Sequence, residues 1–352
     1  MMILHSLAMP FLRRLDPERA HDLTIWALSR GWGPVDQRRD SPVLRCRYWG
    51  REFTNPIGVA AGFDKNARAY AALLKMGFGF TEIGTVTPRP QIGNPKPRLF
   101  RLTEDNAVIN RMGFNNQGME AAAGRLEHRH GRGVVGVNIG KNKETEDAAE
   151  DYEAAATRLA PLADYLVINV SSPNTPGLRA LQDADVLARL IRVVRVAAEK
   201  VCSLGVPPLL VKLAPDLTSD DKRDIAAMAV EQAVDGLIIS NTTIERPATL
   251  GDPARGEAGG LSGAPLFAPS TAVLADMYRL TEGKVMLIGV GGVSNGAEAY
   301  AKLRAGASLV QLYSAMALKG PGLIRSIKAD LAEHLYQDGF DSVAAAIGAD
   351  HR

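Results

Sequence analysis

The sequence predicts an α/β protein: a (β/α)8 TIM barrel with an N-terminal helical extension. Three observations carry this. Short apolar runs recur eight times from Pro56 onward, each five to eight residues long and several rich in Val and Ile. Such runs read as strands buried on both faces, as in a parallel sheet. Most of the segments between them hold an Ala/Leu/Arg/Glu-rich stretch at helical spacing, so strand and helix alternate. Eight such units is the barrel number, which leaves a doubly wound sheet with less support.

The elements follow in chain order. Ile3, Leu4, Leu7, Ala8, Phe11, Leu12 and Leu15 form one apolar face of a helix, which Pro10 should kink or divide. In "DPE", Asp16 is placed as an N-cap, Pro17 at the first helical position and Glu18 in the first turn, so a second helix should run to about Arg30 and stop at Gly31. Arg13, Arg14 and Arg19 flank this apolar arm. It reads either as a helical pair packed on the body or as a hairpin lying in a membrane interface, apolar side down. Residues 31–55 read as a linker, and the expected organisation is an arm over 1–40 and a barrel over 41–352.

The eight runs are "IGVAAGF" from 57, "FTEIGTV" from 80, "VVGVNIG" from 134, "YLVINV" from 165, "LLVKLA" from 209, "GLIISN" from 236, "VMLIGVGG" from 285 and "LVQLYSA" from 309. Helices are expected at 67–75, 146–159, 184–201, 220–231, 270–280 and 297–304. Two connections are long, after the second and sixth runs. Both are rich in Gly and Pro, and both lie on the face where barrel enzymes build their sites.

Bulk properties exclude several classes. The net charge of +2 gives no electrostatic case for a nucleic-acid partner. Two cysteines, Cys46 and Cys202, argue against a disulfide scaffold or structural zinc and fit a reducing setting. No apolar run approaches the length of a membrane span. The N-terminus lacks the basic start of a usual signal peptide.

The run ends are consistently polar. They carry Ala61-Gly62-Phe63-Asp64-Lys65, Gly84-Thr85, Asn138 with Lys141 following, Asn169 with Ser171, Ser172 and Asn174, Lys212, Ser240-Asn241-Thr242, Gly289 to Gly292, and Tyr313-Ser314. Polar groups ending all eight strands would be hard to bury without a ligand. "GVGGVSN" and "YSA" follow the seventh and eighth runs, where barrels commonly hold phosphate. The remaining Asn, Thr, Ser and Lys ring suits a planar heterocycle with carbonyl and N–H edges. Few acids are present, so a metal does not fit. Histidines 5, 21, 128, 130 and 334 lie outside the strand-end loops and the sixth is His351, which argues against a Ser-His hydrolase.

The motifs "NRMGFNNQG", "NVSSPNTPGLR", "VKLAPDL", "SNTT", "GGLSG" and "GVGGVSN" together resemble the dihydroorotate dehydrogenase family, in its class 2, quinone-using, membrane-associated form. The resemblance runs from the N-terminal helices to about Gly322. It implies one non-covalent FMN, oxidation of (S)-dihydroorotate to orotate in de novo pyrimidine (UMP) biosynthesis, and electron transfer to a membrane quinone. It implies FMN binding by Ala61, Gly62, Phe63, Asp64, Lys65, Thr85, Asn138, Asn169, Lys212, Ser240, Gly263, Gly292, Tyr313 and Ser314. Orotate would be held by Lys65, Asn110, Arg111, Met112, Gly113, Phe114, Asn169, Asn174, Asn241 and Thr242. The chemistry agrees: lysines stabilise anions, and asparagines pair with imide-like edges.

The class distinction falls on Ser172, where the soluble class 1 enzymes have a cysteine. The resemblance makes Ser172 the base that takes the C5 proton while hydride leaves C6. Thr175 and a water near Phe114 are the implied relay, since a neutral serine is a poor base and needs one. The arm becomes a quinone tunnel, lined by His21, Arg101 and Tyr313, peripheral on the cytoplasmic face of the inner membrane. Competing readings are another FMN-dependent barrel oxidoreductase using fumarate or NAD, an aldolase with Lys212 as Schiff-base lysine, and a flavin-binding or membrane-docking protein without chemistry.

Overall fold

The computed structural model describes residues 9–129 and 133–352, so His5, His130 and the first half of the expected 3–15 helix lie outside it. Residues 9–14 are helical with Pro10 among them. Helix α1 (Pro17–Ser29) starts as expected: the Asp16 carboxylate accepts the N–H groups of Glu18 and Arg19, and Pro17 opens the first turn. Gly31 follows in the left-handed region.

The expected linker is more than a linker. It folds into a hairpin of β1 (Cys46–Tyr48) and β2 (Arg51–Phe53). Both turn residues have positive φ, 51° at Trp49 and 73° at Gly50, the combination that matches the twist of a two-residue hairpin. A Trp-Gly pair carries no Asn-Gly signal, so pattern reading passes over it. The hairpin plugs the N-terminal mouth of the barrel. Phe53 is fully buried edge-on against Phe80, and Trp49 packs on Tyr165.

All eight predicted runs form barrel strands: β3 (Ile57–Asp64), β4 (Phe80–Val86), β7 (Val134–Ile139), β8 (Tyr165–Asn169), β9 (Leu209–Leu213), β10 (Gly236–Ile239), β12 (Leu287–Val290) and β13 (Leu309–Leu312). They pair in parallel, in that order, and β13 closes onto β3. The two long connections are not plain loops. They carry β5 (Leu99–Leu102), β6 (Ala107–Asn110) and β11 (Gly260–Gly263), which join as an antiparallel sheet over the C-terminal end of the barrel. The segment at 67–75 starts its helix only at Tyr70. The Asp64 carboxylate accepts the N–H groups of Arg68, Ala69 and Tyr70 and holds the preceding turn out of the helix. Helices Met119–Glu127 and Leu323–Gln337 were not anticipated.

Two cores result. Leu166 and Ile168 of β8 face the helices, while Tyr165 and Val167 fill the barrel. The same two-residue period puts Leu210 inside on β9 and Ile238 inside on β10. Continued by one step, it turns Asn169, Lys212 and Ser240 inward at the C-terminal end. The strand pattern that builds the core therefore also aims the polar residues.

Candidate active site

A cavity of about 610 Å³ opens at the C-terminal ends of the strands and runs out beneath the arm. Its inner part is lined by Ala61, Gly62, Phe63, Lys65, Thr85, Asn169, Ser172, Lys212 and Ser240. Asn110, Met112, Gly113, Phe114, Asn174, Asn241, Thr242 and Gly263 complete that wall together with Gly292, Tyr313 and Ser314. Its outer part is apolar, with Leu12, Ala20, Leu23, Ala27 and Leu28, and includes His21 and Arg101.

The asparagines fall into two hydrogen-bonded groups. Asn169 Nδ2 donates to Thr85 Oγ1 at 2.8 Å and to Asn138 Oδ1 at 3.1 Å, and its Oδ1 accepts the Ser171 hydroxyl at 3.1 Å. Asn241 Nδ2 donates to Ser171 Oγ at 3.0 Å. Asn174 Nδ2 donates to the Asn110 carbonyl at 3.0 Å, and its own N–H donates to Ser172 Oγ at 3.2 Å. Below lies a buried carboxylate, Glu82, which accepts from Asn138 Nδ2 at 2.8 Å, Gln311 Nε2 at 2.7 Å and the Tyr165 hydroxyl at 3.2 Å. An acidic residue inside an apolar run was the signal that the sequence reading did not use.

Charge is concentrated in two lysines. Burial pushes the Lys65 ammonium down to about 8, with Asp22 and Glu18 partly opposing that. Burial also lowers Lys212, and the charge of Glu82 works against it. Lys65 Nζ lies 3.5 Å from His21 Nε2, and the Tyr313 hydroxyl lies 3.5 Å from His21 Nδ1. Burial and the Lys65 charge hold His21 well below the usual histidine range, so its ring is neutral near pH 7. Phe63 packs edge-on against both His21 and Tyr313.

The phosphate-like corner is built from close backbone approaches. Gly292 has φ 77°, and a Cβ there would sit 2.4 Å from Phe267 Cβ. Ser262 Oγ and Ser314 Oγ are 2.8 Å apart beside it. A close backbone approach at glycine and two facing hydroxyls in one cleft fit a phosphate-bearing planar cofactor.

Four residues from the sequence reading do not line this cavity. Asp64 uses its carboxylate as a turn cap. Arg111 turns away, donating from Nη1 to Glu257 at 2.6 Å and stacking over Phe100. Asn138 sits one layer down, between Glu82 and Asn169. Thr175 is buried, and its Oγ1 has no hydrogen-bond partner among the described residues. Arg101 lines the cavity while Nη1 and Nη2 donate to the carbonyls of Leu12, Arg13 and Leu15, tying the arm down.

Comparison with known proteins gives concordant results. The family model described as dihydroorotate dehydrogenase matches residues 43–335. A Rhodospirillum rubrum protein named dihydroorotate dehydrogenase (quinone) is 61% identical over 348 residues, covering 99% of this chain and 95% of that one. The mitochondrial dihydroorotate dehydrogenase (quinone) of Arabidopsis thaliana is 53% identical, covering 97% and 81%. A crystal structure of DHODH from Eimeria tenella in complex with ferulenol superposes with a TM-score of 0.93 at 47% identity, covering 96% of each chain.

Proposed function

The chain belongs to the dihydroorotate dehydrogenase family, in its quinone-dependent class, and from that premise we propose that it oxidises (S)-dihydroorotate to orotate with one non-covalent FMN and a membrane quinone, as a step of pyrimidine biosynthesis. The observation that carries this is the two-part cavity: a polar inner chamber at the strand ends continuous with an apolar passage under the arm. A polar planar substrate and an apolar electron acceptor can then reach one cofactor from different sides.

FMN, when bound, supplies the acceptor for the substrate hydride and the carrier of electrons to quinone. Gly263, Gly292 and Ser314 would hold its phosphate, and Thr85, Lys65, Lys212 and Ser240 its ring. The chain's own chemistry is positioning and proton transfer. Asn110, Asn174, Asn241 and Thr242 supply donors and acceptors to the edges of the substrate. Lys65 offers a positive charge to a carboxylate in a desolvated site, where it acts more strongly than in water. Ser172 Oγ takes the C5 proton. Its weakness as a base requires an outlet for that proton, and the unpartnered Thr175 hydroxyl is suited to begin one.

The arm serves both readings made from its sequence. Ala20, Ile25 and Leu28 are buried against the body, while Phe11, Leu23, Trp26, Trp32 and Val35 remain exposed. Exposed arginines 13, 14, 19 and 30 surround them. An apolar patch ringed by arginines suits the head-group layer of a bilayer. Among the described residues no helix is long and apolar enough to cross one. The protein would therefore lie peripherally on the cytoplasmic face of the inner membrane and take quinone from within it.

Anaerobic mixing of the FMN-loaded protein with dihydroorotate tests the reading. The flavin should bleach, and a short-chain quinone should restore its colour. Bleached flavin that is reoxidised by fumarate or NAD but not by quinone would overturn the acceptor assignment. Flavin that does not bleach would overturn the substrate.

A further inference from the structure

One buried group of charges near the cavity touches neither the substrate nor the cofactor positions named above, and acts on them only through the charge of Glu18 on Lys65. Glu18 belongs to the arm, yet it is only 6% exposed. Its carboxylate is gripped by a fork from Arg98: Nη2 donates to Oε1 at 2.6 Å and Nε to Oε2 at 3.1 Å. Lys96 Nζ lies 3.2 Å away on the outer side. Burial alone would raise the Glu18 pKa, but the hydrogen bonds and charges of Arg98 and Lys96 hold it below the usual carboxylate value.

The hydrogen bonds continue inward. Arg98, 4% exposed, donates from Nη1 to the carbonyls of Ile92 and Asn94, both at 2.7 Å. Asn94 Nδ2 donates to the carbonyls of Arg111 and Asn174, both at 3.1 Å. The Asn94 side chain also packs against Gly113, whose missing Cβ would lie 2.8 Å from it. Asn174 Nδ2 then reaches the Asn110 carbonyl at 3.0 Å. An unbroken series of short contacts thus joins the arm helix to both loops that close over the substrate chamber.

A buried ion pair adds little net stability, because desolvation offsets most of the attraction. Its better-attested use is to fix register. The group fixed here is Asn94, whose side chain makes one hydrogen bond to each substrate loop and whose backbone N–H makes a second to the 110–114 loop, at the Met112 carbonyl.

We propose that Glu18, Arg98 and Asn94 are positioning residues that couple the seating of the N-terminal arm to the geometry of the substrate loops at 110–114 and 171–177. The inference rests on the functional reading above. It gives the arm a second duty: besides forming the apolar passage, it tightens the chamber at the far side of the sheet. Linkage makes the coupling reciprocal, so substrate in the chamber also favours the seated arm.

The test uses the full-length, FMN-loaded protein. Glu18→Gln keeps the shape and removes the charge, leaving Arg98 without its carboxylate partner. Measured at about pH 6, where Lys65 is charged with or without Glu18, the orotate dissociation constant should rise about tenfold, a typical coupling between sites, and amide exchange at 171–177 should quicken. Asn94→Ala leaves the ion pair intact and serves if the first variant folds poorly; it should produce the same two changes with little loss of melting temperature. In the double variant the effects on orotate affinity should fall short of the sum of the single ones. A merely structural staple would lower the melting temperature of Glu18→Gln and leave both readouts in place, which overturns the proposal, as would additivity. If the unsubstituted protein does not bind orotate, the functional reading fails, and exchange at 171–177 in the two variants still decides the coupling.

Discussion

Replacing Ser172 by alanine separates a base from a bystander, because the two roles predict different magnitudes. Ser172 Oγ accepts one backbone N–H, from Asn174 at 3.2 Å, and donates to none of the described residues. Loss of one such hydrogen bond is worth about 1 kcal/mol, which is roughly a fivefold effect on a rate. Loss of a positioned general base costs about 10²- to 10⁴-fold, or roughly 3–5 kcal/mol of barrier. The assay is anaerobic stopped-flow reduction of the bound flavin by dihydroorotate at neutral pH, with orotate affinity as the control for binding. Alanine should slow reduction at least a hundredfold and change orotate affinity by no more than about fivefold. Ser172→Cys offers a thiol with an ordinary pKa of about 8.5, so its reduction rate should climb with pH through that region. A loss of less than about tenfold in the alanine variant is within reach of the hydrogen bond alone, and would remove Ser172 from the base role.

Other expectations follow from the same geometry. Burial brings Lys65 down to about 8, so the cation is present below that pH and lost above it; orotate affinity of the FMN-loaded protein should fall as pH rises through about 8, and Lys65→Met should flatten that profile. Gly292→Ala puts a Cβ into Phe267 at a positive φ, so the purified variant should carry much less FMN by absorbance while its circular dichroism is retained. Trp26 and Trp32 are 39% and 61% exposed and stack edge-on at 5.1 Å; replacing both by serine should reduce co-sedimentation with anionic vesicles while leaving flavin reduction by dihydroorotate unaltered.

The barrel was legible because its strands are buried on both faces and announce themselves as continuous apolar runs. Each of the eight kept its position, and many of the polar residues at their ends line one cavity, while Asp64, Asn138, Lys141 and Ser171 do not. The misses have local causes. The hairpin at 46–53 is turned by Trp49-Gly50, which lacks an Asn or Asp signal. Strand β11 pairs with β6 only across 150 residues of sequence (Asn110 with Gly260), so no local pattern announces it, and β5 and β6 form a local hairpin of only four residues a side. Asp64 and Arg111 sit inside the right motifs but spend their side chains elsewhere. A motif fixes where a residue stands in the chain, and only the surrounding packing decides which way its side chain turns. Glu18 and Arg98 are the reverse case. Eighty residues apart and charged, they read as surface groups, and only the fold buries them together.

The interior of the barrel explains why the end that holds the site is polar at all. Its floor is aromatic, with Phe53, Phe80 and Tyr165 in edge contact. Glu82 lies above it, satisfied by three donors. Above Glu82 stand Lys212 and the asparagines, with Lys65 at the rim. Two cations share that chamber, Lys212 buried and Lys65 half-buried, and desolvation drives both toward the neutral form. Desolvation of such a charge costs several kcal/mol unless an opposite charge is near. Glu82 is a partial remedy for Lys212. Asp22 and Glu18 do the same for Lys65, and a substrate carboxylate beside Lys65 would add a further negative charge. The same charges that weaken the empty barrel therefore favour the filled one, and the difference appears as ligand affinity.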